Sequence, residues 1–252
     1  MTSIANKGRL IGERWVVAAA LGAVVAVCWG WIGPMALDMY GPMTGWSAWM
    51  MTGTWDFPHE ALLLAMWTVM MIGMMLPSAA PAVFHYAARL RRDGESEGVL
   101  ERVFGFAAGY VVVWIGFSLI ATVLQLGLTK GALLSPMMEL RSRWIGGGIV
   151  LIAGIYQFTP WKRRCLDCCR TLVDQAGGFQ AGVRNGLSCL GCCWALMLLL
   201  FVGGVMNLWW ICALTIYVVL EKVTSRCCRG TGLTGGLLLA AGVWILRYGM
   251  MA

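Results

Sequence analysis

Two short stretches of this 252-residue chain repeat one arrangement of thiols, Cys-Leu-Asp-Cys-Cys at 165–169 and Cys-Leu-Gly-Cys-Cys at 189–193. In a helix, positions i, i+3 and i+4 share a face, so each block can present three sulfurs together. A further pair, Cys227 and Cys228, follows. Thiolates bind soft ions: Cu(I), Zn(II), Hg(II) or Cd(II). The same cysteines could instead serve as small apolar residues in helix packing or as a redox dithiol. The second block follows Asn185-Gly186 and reads as the first turn of a helix, where the dipole favours a thiolate. The first is flanked by Lys162, Arg163, Arg164 and Arg170, which also lower thiol pKa values.

Methionines form a second sulfur-bearing set. Met66, Met70 and Met74 repeat at i, i+4 and i+8, with Met71 and Met75 beside them. One helix would carry a thioether stripe down its length. Before it, the segment 36–60 holds Met39, Met43, Met50, Met51 and His59, with Asp38, Asp56 and Glu60 and no Lys or Arg. Such a mouth suits a soft cation, and thioethers select Cu(I) over Zn(II). Packing is the competing account, since methionine is a flexible core filler. His85 lies about one turn beyond Pro81 and reads either as a further ligand on the path or as an interfacial, hydrogen-bonded histidine.

The elements that must position these groups follow from composition. The chain is 60% apolar and 12% charged, with a mean hydropathy of +0.74. Soluble chains are about 45–50% apolar and about 25% charged. An ordinary soluble enzyme, a disordered chain and a collagen-like chain are excluded, and an all-α, polytopic transmembrane helix bundle is expected. Seven apolar segments stand out, at about 15–35, 61–84, 103–128, 144–159, 187–206, 208–224 and 232–248. Met206-Asn207-Leu208 reads as a tight turn, and Pro77 and Pro81 would kink or end the second helix. Trp15, Trp31, Trp144, Trp161, Trp209 and Trp210 fall at segment ends, as interface anchors do. Gly146 to Gly148 and Gly154 in the fourth segment, and Gly203-Gly204 in the fifth, would let backbones meet and bring 160–186 beside the fifth. The whole chain, 1–252, reads as one integral membrane domain. No phosphate loop or dinucleotide fingerprint is present.

Sidedness follows from the basic residues. With the N-terminus cytoplasmic and the C-terminus outside (N-in/C-out), 15 of the 19 Lys and Arg fall on cytoplasmic segments. The net charge of +7 is then a topology signal facing anionic lipid, not a nucleic-acid surface. Eight of the ten cysteines gather at the same face: Cys165, Cys168 and Cys169 in a cytoplasmic loop 160–186, Cys189, Cys192 and Cys193 at the start of the fifth span, and Cys227 and Cys228 in the last cytoplasmic loop. The reducing cytosol argues against a disulfide framework and leaves metal binding or redox chemistry. The segment 36–60 becomes an outside Met/His loop. Glu221-Lys222 ends the sixth span at the thiol-bearing face and reads either as functional or as a local ion pair. Gln157 and Asn207 are expected to hydrogen-bond between helices.

At these residues the sequence resembles an uncharacterised bacterial family described as predicted metal-binding integral membrane proteins. The resemblance rests most on Gly186-Leu187-Ser188-Cys189-Leu190-Gly191-Cys192-Cys193-Trp194-Ala195-Leu196-Met197. It extends to residues 74–81, 153–157, 162–170, 204–207 and Glu221-Lys222, and covers about 60–223. It implies metal binding within a membrane-integral fold and points to Cys165, Cys169, Cys189, Cys192 and Cys193. Cys168, Cys227 and Cys228 depart from the family's pattern.

The resulting expectation is a multi-pass inner-membrane protein, not an enzyme, that takes up a soft metal, foremost Cu(I), at the Met/His loop. The ion would pass along Met66, Met70 and Met74 to the cytoplasmic thiols, for hand-off to a cytosolic metal carrier. Zn(II) and Hg(II) stay open as cargo. A membrane-embedded metallochaperone or assembly partner of a metalloenzyme complex is the first alternative. A thiol–disulfide oxidoreductase is the second, and it lacks an outside thiol.

Overall fold

The computed structural model describes residues 2–39, 57–93, 98–135, 138–171, 177–223 and 228–249. Among them the chain is helical, as expected, apart from turns and one isolated bridge between Leu134 and Leu140. The helices are α1 (Thr2–Met39), α2 (Phe57–Arg92), α3 (Val99–Lys130), α4 (Arg143–Gln157), α5 (Pro160–Thr171), α6 (Gly178–Met197), the one-turn α7 (Leu200–Gly203), α8 (Leu208–Val223) and α9 (Cys228–Tyr248).

Each of the seven apolar segments is helical. Four stretches are long and apolar enough to cross a bilayer by length and composition: Arg14–Met39, Phe57–Arg92, Val99–Lys130 and Gly178–Gly203. The segments at 144–159 and 208–224 form helices of 15 and 16 residues. At a rise of about 1.5 Å per residue they are shorter than the roughly 30 Å of a hydrocarbon core. Large apolar side chains face outward along many of these helices, among them Val27, Ile120, Val123, Leu233 and Leu237. Five of the six tryptophans at segment ends are exposed, and Trp210 instead donates to the carbonyl of Leu199 at 2.8 Å.

The centre of the bundle is α2, α3 and α6. Helix α1 lies on α2, α5 lies on α6, and α4 pairs with α9. The α3–α6 contact is backbone against backbone. A Cβ added at Gly178 would come within 2.1 Å of the Arg102 carbonyl oxygen, and one at Gly182 within 2.0 Å of that of Phe106. Small residues four apart permit such an approach. The glycines of the fourth segment serve a different contact from the one expected. Gly147 and Gly154 face Leu246 and Leu239 of α9, so they join α4 to the last helix and not to the thiol-bearing one.

Two further expectations change, and Pro77 and Pro81 do not end their helix. Helix α2 runs through Pro77 and Pro81 to Arg92. Pro77 cannot bond the Gly73 carbonyl four residues back, and the indole N–H of Trp29 donates to it at 3.3 Å. The segment 160–186, read as a loop, contains α5 and the first turns of α6. Helix α6 begins at Gly178, so Cys189 sits in its fourth turn and gains nothing from the N-terminal dipole, which fades within one turn. Asn185-Gly186 is no helix start, because packing against α3 holds the glycines helical. The connection after α3 carries buried Leu134, Met138 and Leu140 as well as solvated charges.

Candidate metal centre

Helix α6 places Cys189, Cys192 and Cys193 on one face, as i, i+3 and i+4 must be. That face points into the bundle, and the three residues are 0%, 0% and 1% exposed. Helix α5 folds back over it. Its Cys169 is buried, while Cys165 is half-buried and Cys168 exposed. One bond fixes α5 there, and another ties α4 to α6. The Asn185 side-chain amide donates to the Cys169 carbonyl at 2.9 Å, which satisfies an oxygen in the helix's last turn. The Tyr156 hydroxyl donates to the Gly191 carbonyl. Gly191 has no side chain to hold α5 away, and the Cys165 sulfur lies 2.8 Å from where its Cβ would be.

The outcome is a thiol cluster between two helices. The sulfurs of Cys169, Cys189 and Cys192 lie within 4.8 Å of one another. Three sulfurs each about 2.3 Å from one ion are about 4 Å apart, so the spacing admits a single three-sulfur site. Cys193 places its sulfur 3.2 Å from that of Cys192. Every donor in the set is a thiol, which suits a soft ion. The Cys169 thiol is pushed up to about 12, chiefly by its hydrogen bond to Cys189 and further by burial. Burial also raises the Cys165 thiol.

Groups from three other helices close the cluster. The Lys222 ammonium of α8 is buried and donates to the Cys189 sulfur at 2.8 Å and to the Ser78 hydroxyl of α2 at 2.7 Å. The Tyr110 hydroxyl of α3 lies 3.0 Å from the Cys189 sulfur and donates to the Met75 carbonyl at 3.2 Å. Three thiolates around a monovalent ion leave two negative charges in a buried place. The Lys222 ammonium offsets one of them.

Glu221 and Lys222 each reach a separate partner. Glu221 pairs with Lys162 of α5 at 2.7 Å, and Lys162 also donates to Gln157. Asn207 caps α8, accepting from the Trp210 backbone N–H at 3.2 Å, instead of bridging helices.

The methionine stripe lies in the same buried core as the cluster thiols. Met66, Met70 and Met74 are wholly buried in the core of α2, as are Met71 and Met75. His59 is buried at the start of α2, and His85 is exposed near its end. Cys227, Met43, Met50 and Met51 lie outside the described residues, as does most of the segment 36–60. Cys228 opens α9, and its side chain is outside them as well. Sequence reasoning assigns Tyr110, Ser78 and Asn185 no part in the thiol site. A tyrosine hydroxyl deep in an apolar helix is the signal that points to Tyr110, since it must find a buried partner.

The family model described as PpoB2, copper chaperone, matches residues 64–245, which contain the whole thiol cluster and its lysine. No curated protein and no solved structure matches the chain.

Proposed function

The chain belongs to the PpoB2 copper chaperone family, and from that premise we propose that it is a membrane-embedded carrier binding Cu(I) at Cys169, Cys189 and Cys192. The carrying observation is the convergence of three thiols from two helices within 4.8 Å, beside a buried ammonium. Copper is cargo here, and the protein holds and passes it without catalysing a reaction. Cys193 places a fourth sulfur beside that of Cys192, outside the three-thiol group. Cys168 is exposed on α5 and Cys165 is half-buried against Gly191 of α6, where they are placed to receive or deliver the ion.

Four long apolar helices and the outward apolar side chains support a multi-pass inner-membrane location. The bias of basic residues supports N-in/C-out, with the thiols toward the cytosol. A cytosolic metal carrier or a metalloenzyme complex would then be the recipient. A second reading, translocation, is favoured by one observation. The buried stripe Met66, Met70, Met74 and Met75 leads toward the cluster, where Tyr110 bonds both the Met75 carbonyl and Cys189.

Anaerobic loading with Cu(I), followed by copper and protein determination, tests the carrier. Wild type is expected to hold about one copper per chain, and Cys189→Ser with Cys192→Ser to hold almost none. Equal copper in both would remove the proposal. Copper accumulation in sealed vesicles separates the translocation reading, which needs it, from the carrier, which does not.

A further inference from the structure

The cluster is reached by a cavity. About 300 Å³ of space is lined by Cys169 and Lys222, with Ser78, Pro81 and Val223 in its wall and His85 at its exposed side. A second cavity of about 310 Å³ shares Pro81 and His85 and is bounded by Arg14. The two lie side by side between the buried thiols and an exposed arginine. A cation stands at each end, Lys222 within and Arg14 without. Of the three cluster thiols, Cys169 is the one that lines the inner cavity.

These features select an occupant. Spaces near 300 Å³ are at the small end of ligand pockets and admit a small molecule, not a folded domain. A molecule that takes Cu(I) from thiolates must bring a soft donor of its own. Cations at both ends attract an anion. We propose that a low-molecular-mass anionic thiol occupies these cavities and exchanges Cu(I) with the cluster through Cys169, its carboxylate lying near Arg14. The inference rests on the carrier reading and adds the ligand that loads or unloads it.

In the step, the incoming thiolate forms a Cu–S bond as the bond to Cys169 breaks. The proton lost by the incoming thiol ends on the Cys169 sulfur. Copper stays Cu(I) throughout, and no electron moves. Cys189 and Cys192 hold the ion during the exchange, and a second thiol completes its release.

The test uses the full chain, purified in detergent, kept reduced and loaded with Cu(I). Release to an excess chelator is timed with and without glutathione, with its diethyl ester, and with a short peptide bearing one cysteine. Glutathione is expected to speed release about fivefold more than the ester, as a charge contact of about 1 kcal/mol would give. Arg14→Gln should abolish that difference. Val223→Trp, at an exposed wall position, should suppress the acceleration. No acceleration by glutathione, equal rates with the ester, or an unaffected Val223→Trp would overturn the inference. Acceleration by the peptide alone would assign the cavities to a protein cysteine and overturn it too. Copper-free protein supplies an independent arm. Iodoacetate should alkylate Cys169 more slowly in Val223→Trp than in wild type. An unchanged rate would show that the cavities do not serve the cluster. Wild type that holds no copper would end the carrier reading, and the two alkylation rates would still decide access.

Discussion

The blocks at 165–169 and 189–193 have the same cysteine spacing and opposite fates. In the second, all three sulfurs are buried, and the residue between Leu190 and Cys192 is a glycine. In the first, the corresponding residue is Asp167, and the three cysteines grade from half-buried through exposed to buried. Helical spacing puts sulfurs on a face, but the partner element decides what the face becomes. Helix α6 is clasped by α3 and covered by α5, so its thiols have nowhere else to point. Helix α5 has one covered side, and it contributes one sulfur. The site is therefore asymmetric: a fixed pair from α6 and a single thiol from a short helix laid over it.

Mutations should divide along that asymmetry. The largest effect is expected from Cys189→Ser with Cys192→Ser, which should remove bound copper, whereas Cys165→Ser with Cys168→Ser should leave the copper-to-protein ratio unchanged. Equal losses in the two would make the blocks equivalent and contradict the geometry. Next comes Lys222→Met, which removes the ammonium 2.8 Å from Cys189. It should weaken Cu(I) affinity about 10–100-fold, measured by competition with a chromogenic chelator. Gly182→Ala should then lower stability by roughly 1–3 kcal/mol in thermal unfolding, because a Cβ there meets the rigid Phe106 carbonyl. Gly191→Ala should cost less than about 0.5 kcal/mol, since what its Cβ meets is the Cys165 sulfur, which can rotate away.

The sequence was legible where the signal is local. Apolar runs gave all seven helical segments, and cysteine spacing gave the buried face of α6. Boundaries failed where tertiary packing overrode a local cue. Asn185-Gly186 looks like a break, yet Gly178, Gly182 and Gly186 at intervals of four make a contact face against α3, and that interval was the readable sign of it. The rest of the site is assembled across long separations. Tyr110 is 79 residues from Cys189, and Ser78 is 144 from Lys222. No periodicity links such positions. Glu221-Lys222 looked like a local pair because the residues are adjacent, whereas adjacent helical positions point apart. Each therefore meets a different neighbour, Lys162 for one and Cys189 for the other.

X-ray absorption at the copper edge, on reduced, Cu(I)-loaded wild type and Cys169→Ser, tests the shared site most directly. The account predicts about three sulfur neighbours near 2.3 Å in wild type and one fewer in the variant. Nitrogen or oxygen neighbours in wild type, or an identical spectrum from Cys169→Ser, would contradict a copper site spanning α5 and α6.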